Sequence, residues 1–194
     1  MEELQKHLFN QMANEWHIPI QNIVIAEEII HRLGLQIGDS VLDVGCGTGI
    51  LYNLLSQKNI YNYVGVDISE KMLAKFKEGF PDVDLVCGDF ENEALELKRK
   101  FDYCIIFNSI PHFNYIDKTF RRAYEHLKEK GKLVVIHCRT REGLKQHHQS
   151  IGYKSLKIEP IPLDEELLSV CKEVGFNQVV IEDKEYFYFE ATKN

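Results

Sequence analysis

Ser40-Val41-Leu42-Asp43-Val44-Gly45-Cys46-Gly47-Thr48-Gly49-Ile50 is the stretch whose reading decides the fold. The apolar run from Val41 to Val44 has the length of a buried strand and stops at a glycine-rich turn, residues 45–49. Ile50, Leu51, Leu54 and Leu55 then recur at helical spacing. A strand that breaks into such a turn and then a helix lets a ligand lie against bare backbone. Asp67, twenty-two residues after Gly45, closes the next apolar run, Tyr63-Val64-Gly65-Val66. An acid at that place can accept hydrogen bonds from both ribose hydroxyls of a nucleoside.

Together these features imply a nucleoside-containing cofactor on a Rossmann-like sheet. The glycine spacing refines this. A dinucleotide fingerprint, G-x-G-x-x-G, would put its third glycine at position 50, where this chain has isoleucine. The spacing is instead G-x-G-x-G, with Asp43 two residues before the first glycine. In this the segment resembles motif I of the class I S-adenosylmethionine-dependent methyltransferases. That cofactor has a sulfonium and an ammonium but no phosphate. An acid near the turn is therefore favourable, where a pyrophosphate would be repelled.

The bulk numbers fit one such domain. A chain of 194 residues, 44% apolar and 27% charged, suits a single globular unit with one sizeable core. Its formal charge of −7 argues against a general binder of nucleic-acid backbone, which needs a basic face. The first residues lack the apolar core of a signal peptide, and no apolar run approaches a bilayer span. Five cysteines, an odd number without a C-x-x-C pair, read as free thiols of a reducing cytoplasm.

Strand and helix signals alternate along most of the length, which implies a parallel sheet between helices. Strands are expected at about 40–45, 62–67, 83–87, 102–108 and 132–138, with helices at about 48–57, after Ser69 as N-cap, and at 117–129 ending at Gly131. An acidic first turn, Asp164-Glu165-Glu166, opens a further helix, stopped at Gly175. Two strands, about 178–182 and 185–192, follow, joined closely enough to pair antiparallel. The resemblance implies a three-layer α/β/α sandwich whose seven-stranded, mostly parallel sheet runs 3-2-1-4-5-7-6, with an antiparallel C-terminal strand. It also implies one domain over 1–194, with an N-terminal helical lid (about 1–35) and a substrate-side insertion (about 139–163).

Further motifs extend the resemblance. Phe9-Asn10-Gln11-Met12-Ala13-Asn14-Glu15-Trp16 is similar to the F-D-x-x-A-x-x-W entry segment of small-molecule methyltransferases, with Asn10 where Asp is usual. Asp67-Ile68 matches motif II, and Gly88-Asp89-Phe90 matches motif III, beside adenine. By resemblance the cofactor-binding set is Trp16, Asp43, Gly45, Cys46, Gly47, Asp67, Ile68, Met72, Gly88, Asp89, Phe90 and Asn108. The implied cofactor is S-adenosylmethionine, the product S-adenosylhomocysteine, and the partner a small-molecule methyl acceptor. The Ser109-Ile110-Pro111-His112-Phe113 segment is similar to one in ubiquinone- and menaquinone-type methyltransferases.

Ligands of open α/β sheets lie beyond the carboxyl ends of the strands, where strand order reverses. His112 after strand four and His137 at the end of strand five are thus the candidate catalytic bases, since imidazole titrates in the useful range. Cys138 and Arg139 are expected to project toward the same cavity. His147 and His148 could join these histidines around a metal, but no H-x-x-x-H spacing supports one, and no metal is expected. Arg139 and Arg141 are alternative anchors for an anionic substrate, and residues 149–163, with Tyr153, are expected in the substrate wall. Three rivals stand beside this reading: a nonenzymatic cofactor-binding regulator, a nicotinamide-dependent oxidoreductase, disfavoured by Ile50, and a nucleic-acid or protein methyltransferase. Asn108-Ser109-Ile110-Pro111 stands where amino-group nucleic-acid methylation would show Asn-Pro-Pro-Tyr, which favours a small acceptor.

Overall fold

The computed structural model describes residues 2–152, 157 and 159–194. Two helices, α1 (Glu2–Met12) and α2 (Ile20–Leu33), precede β1 (Val41–Val44). Then come α3 (Ile50–Gln57), β2 (Tyr63–Asp67), α4 (Glu70–Gly79), β3 (Leu85–Cys87) and β4 (Phe101–Phe107). The second half holds α5 (Ile116–His126), β5 (Leu127–His137), α6 (Arg141–Ser150), α7 (Asp164–Val174), β6 (Phe176–Asp183) and β7 (Phe187–Lys193). The seven strands form one sheet in the order β3-β2-β1-β4-β5-β7-β6. The strands from β3 to β5 pair in parallel, and β7 runs antiparallel to β5 and β6. This is the Rossmann-like architecture and strand order expected from the sequence.

Two apolar layers sandwich the sheet. Leu42 and Val44 pack with Phe120 and Ala123 of α5 and with Leu167 and Val170 of α7. Val41 packs with Ile25 and Ile29 of α2, Leu51 and Leu55 of α3, and Phe76 of α4. Successive residues of a strand face opposite sides, so every residue of β1 is buried and the strand reads as a continuous apolar run. Ser69 caps α4 as its position suggests, accepting from the Met72 N–H at 3.2 Å.

Several boundaries differ from the sequence reading. The fifth helix ends at His126 and β5 begins at once, so Gly131 lies inside a strand and does not terminate a helix. The cause is a register shift between Phe101 and Tyr103, which lets β4 pair first with Leu127 and then with Lys132. The strand β3 is shorter than expected, and the last two strands lie at 176–183 and 187–193. Tyr153, assigned to the substrate wall, and residues 154–156 and 158 of the expected insertion lie outside the described residues.

The third glycine of the turn has a packing role. Gly49 sits at φ +90° as the N-cap of α3, and a Cβ there would meet the Phe76 ring at 2.3 Å. The turn therefore lets α4 close against the start of α3. Gly49→Ala combines left-handed strain with overpacking and should lower unfolding free energy by about 1–3 kcal/mol in chemical denaturation. In a Phe76→Leu background the same substitution should cost less, because part of the clash is gone.

Candidate functional site

A cavity enclosing about 1090 Å³, its open mouth included, lies at the carboxyl ends of β1 to β4. It spans the point between β1 and β4 where strand order reverses. Its floor is the glycine turn, Gly45 to Thr48, with Asp67 and Ile68 after β2, Gly88 to Glu91 after β3, and Phe107 to Ser109 after β4. Residues of α1 and the chain that follows it, among them Gln5, Phe9, Trp16 and Ile18, form the wall opposite.

Asp67 is the electrostatic centre of the floor. Its Oδ2 accepts from the Gly47 N–H and its Oδ1 from the Ser69 N–H, each at 2.8 Å. Burial pushes its carboxyl above the ordinary range, and the amides of Ser69, Gly47 and Ile68 oppose that shift. The turn thus spends a donor on a carboxylate that a phosphate-binding loop would turn toward its ligand. Gly47, at φ +53°, has nothing within 4 Å of where a Cβ would stand, so bare backbone borders the space.

The opposite wall is tied down by α4. Asn10 Oδ1 accepts from the Ser69 hydroxyl at 2.7 Å and from the Lys71 N–H at 3.2 Å. Lys75 Nζ donates to the carbonyls of Ala13 and Trp16, and Lys6 pairs with Glu70 at 2.7 Å. Asn10 therefore adds a second acceptor at the amino end of α4, where the helix dipole favours one.

Of the residues singled out in the sequence, Trp16, Gly45, Cys46, Gly47, Asp67, Ile68, Met72, Gly88, Asp89, Phe90, Asn108 and His112 line this cavity. Asp43 does not. The alternation of β1 turns it to the same face as Val41, where its Oδ2 accepts from the Tyr63 hydroxyl at 2.7 Å in the core. Burial raises its carboxyl to about 7, against the lowering effect of the Tyr63 hydrogen bond. His137 is also absent from the wall, together with Cys138, Arg139, His147 and His148. The Asn108 side chain closes the seam between β4 and β5: its Oδ1 accepts from the Cys138 N–H at 2.7 Å and its Nδ2 meets the Cys138 sulfur at 3.2 Å. Behind that seam the Arg139 N–H donates to His137 Nδ1 at 3.1 Å. Arg141 is not available as a substrate anchor. It is held by the Pro162 carbonyl, Asp164 and Asp183. Among the described residues no three His, Cys, Asp or Glu side chains are disposed around one metal position.

His112 lies on the wall, with its ring 4.9 Å from and nearly perpendicular to that of Phe9. Burial first, then His137, Lys157 and His148, lowers its imidazole to about 4. It stays neutral where an ordinary histidine titrates, so the acid limb expected of a histidine base moves down to near pH 4. Glu91 is a wall residue that the sequence reading passed over. Its carboxylate accepts from the N–H groups of Asn114 and Tyr115 at 3.0 and 2.6 Å and from Thr119 Oγ1 at 2.9 Å. It thereby caps α5 from the β3 side. The tripeptide Asp89-Phe90-Glu91, followed downstream by Tyr115 and Thr119, is the only trace of this in sequence.

Residues 41–131 match the methyltransferase domain family, over the strands that make the cavity floor. Over this segment the chain is similar to S-adenosylmethionine-dependent methyltransferases. It is 32% identical over 140 residues to the malonyl-[acyl-carrier protein] O-methyltransferase of Priestia megaterium, covering 68% of this chain and 50% of that protein. It is 26% identical over 172 residues to the juvenile hormone acid O-methyltransferase of Bombyx mori, covering 79% of this chain and 62% of that one. The chain thus spans between half and about three-fifths of the length of these curated relatives. The magnesium protoporphyrin IX methyltransferase of Synechocystis PCC 6803, solved with S-adenosylhomocysteine, shares the fold over 100% of both chains at a TM-score of 0.75 and 15% identity. No helix among the described residues is long and apolar enough to cross a membrane.

Buried ionisable groups give this chain a distinct pH response. His112, His126 and His137 are each lowered from 6.5 to about 4, mainly by burial. As pH falls below 6.5 the unfolded chain takes up these protons first, so each histidine removes at most about 1.4 kcal/mol of stability per pH unit. Asp43 and Asp67 are raised and act with the opposite sign, holding protons in the folded state that the unfolded chain has released. Three histidines outweigh two carboxylates, so the thermal midpoint should fall steadily from pH 6.5 to 4.5. A midpoint that stays level or rises over that range contradicts these burial assignments.

Proposed function

We propose that this chain transfers the methyl group of S-adenosylmethionine to a small-molecule acceptor and releases S-adenosylhomocysteine. The observation behind this reading is the hydrogen bond from Gly47 to Asp67 at the base of the cavity. With the N–H groups of Gly45 and Cys46 on the Val66 carbonyl and that of Gly49 on Cys46, it leaves the turn few donors for a pyrophosphate, and so favours a sulfonium-bearing nucleoside over a nicotinamide cofactor. In this reading the second lone pairs of the Asp67 oxygens accept the ribose hydroxyls. Ile68 and Phe90 border the adenine, Asp89 faces its amino group, and the glycine turn with Asn108 borders the methionine part. Bound there, the cofactor supplies an electrophilic methyl group on a sulfur that is already a good leaving group. The protein's share is alignment and exclusion of water.

The rest of the chain is read in the same frame. Residues 1–194 form one methyltransferase domain, and about 1–35 act as a helical lid, fastened to α4 through Asn10, Lys6 and Lys75. The part of 139–163 among the described residues belongs to the acceptor side of the fold. His112 is the residue beside the transferred methyl group, and His137 supports it from behind the β4–β5 seam. A cytoplasmic setting suits five free thiols, four of them buried. The charge of −7 suits a small acceptor better than a nucleic acid.

Calorimetric titration tests the cofactor assignment. Asp67→Ala removes two charge-assisted hydrogen bonds to the ribose, each worth roughly 1.5–3 kcal/mol. Affinity for S-adenosylmethionine should drop at least about tenfold. Unchanged affinity in a folded Asp67→Ala protein would sink the assignment. If His112 receives a proton during turnover, His112→Ala should lower the rate by roughly 10²–10⁴ while cofactor affinity stays nearly intact.

A further inference from the structure

Strand order divides the cavity into two ends. With the ribose at Asp67 after β2 and the adenine beside Phe90 after β3, the nucleoside lies toward one edge of the sheet. The rest of the cofactor then runs the other way, over the glycine turn after β1 toward Asn108 after β4. That part of S-adenosylmethionine is an amino acid, with an α-ammonium and an α-carboxylate on one carbon. Both charges lose water on entry and need partners.

The floor at this end has few groups to offer. The N–H groups of Gly45 and Cys46 donate to the Val66 carbonyl at 2.8 and 3.1 Å, that of Gly47 to Asp67, and that of Gly49 to the Cys46 carbonyl at 3.0 Å. The Ser109 hydroxyl donates to the Val44 carbonyl at 3.0 Å, and both ends of the Asn108 carboxamide are taken by Cys138. The polar side chains left at this end are Thr48, just before α3, and, across the cavity, His17 and Asn22, the latter in the first turn of α2. The two helices pack on each other, and both begin at the cavity. Among the described residues neither the Asn22 nor the Thr48 side chain has a hydrogen-bond partner in the protein, and nor has the Thr48 N–H. His17 is exposed, whereas Asn22 and Thr48 are half-buried.

We propose that Asn22 and Thr48 hold the amino-acid end of the cofactor and make the site select S-adenosyl amino acids over shorter adenosine thioethers. The proposal rests on the methyl-transfer reading above. A carboxamide carries a donor and an acceptor in one plane, so Asn22 Nδ2 donates to the carboxylate while its Oδ1 accepts from the ammonium. The Thr48 hydroxyl and N–H donate to the carboxylate from the floor. Holding the cofactor at the ribose and again at the α-carbon limits the swing of the sulfur between them, which serves in-line transfer. Asn22 lies before residues 41–131, the segment matched to the methyltransferase domain family, so this selectivity is carried in part by chain outside the matched segment.

The test is calorimetry on the full chain with two probes, S-adenosylhomocysteine and 5′-methylthioadenosine. They share the adenosine and the sulfur, and only the first carries the amino acid. The wild-type protein should bind S-adenosylhomocysteine at least about tenfold more tightly. Asn22→Ala should weaken S-adenosylhomocysteine by about tenfold and Thr48→Val by about two- to fivefold, while 5′-methylthioadenosine changes by less than about twofold in each. Retained affinity for the shorter probe shows that a variant keeps its fold and its nucleoside site. Equal affinity of the wild-type protein for the two probes, unchanged S-adenosylhomocysteine affinity in either variant, or a parallel loss of both probes in both variants overturns the proposal and leaves the methyl-transfer reading standing. Failure of both probes to bind the wild-type protein brings down both.

Discussion

The carboxylate of Asp67 bridging Gly47 and Ser69 is the constraint around which the site is organised. It ties the turn after β1 to the turn after β2, so two neighbouring parallel strands present one floor. Three structural demands meet there. The glycine turn must bring an N–H to the carboxylate, Ser69 must begin α4 just beyond it, and α4 must lie close enough for Phe76 to cover Gly49. The result is a buried acid held by amides, in a turn whose N–H groups at Gly45, Cys46, Gly47 and Gly49 are spent within the protein.

The same hydrogen-bond chain reaches the opposite wall. The Met72 N–H donates to Ser69 Oγ, and the Ser69 hydroxyl donates to Asn10 Oδ1. Through it the amino end of α4 positions both the floor and α1. Phe9 on α1 in turn packs on His112 and Trp16, so the wall above the site is registered to the strand ends below it. On the far side, Glu91 links the β3 turn to the start of α5, and Asn108, in the left-handed region at φ +56°, seals β4 to β5 through Cys138. A non-glycine residue held there marks a backbone fixed by its surroundings.

Local features of the chain were legible in sequence because local physics sets them. The strand, turn and helix of 40–57 follow from an apolar run, three glycines and a helical stripe, and Asp67 from its place at the end of the next strand. The sheet order came from the resemblance, since spacing alone does not order strands. What escaped were contacts between residues far apart in the chain. The facing of Asp43 follows from strand alternation, yet its partner Tyr63 lies on β2. The seam in front of His137 is closed by Asn108, which lies thirty positions before its partner Cys138 in the chain. Gly131 reads as a helix stop because glycine usually serves that role, whereas here a bulge between β4 and β5 sets the boundary. The depression of His112 is a burial effect with no counterpart in the residue string.

The central claim is that a glycine turn whose donors are spent within the protein takes a sulfonium nucleoside and not a pyrophosphate. The most direct measurement is a pair of calorimetric titrations of the wild-type chain with S-adenosylmethionine and with oxidised nicotinamide dinucleotide under the same conditions. The account predicts saturable one-to-one binding of S-adenosylmethionine and no measurable heat of binding from the dinucleotide. Comparable affinity for the dinucleotide, or binding of the dinucleotide alone, would contradict it.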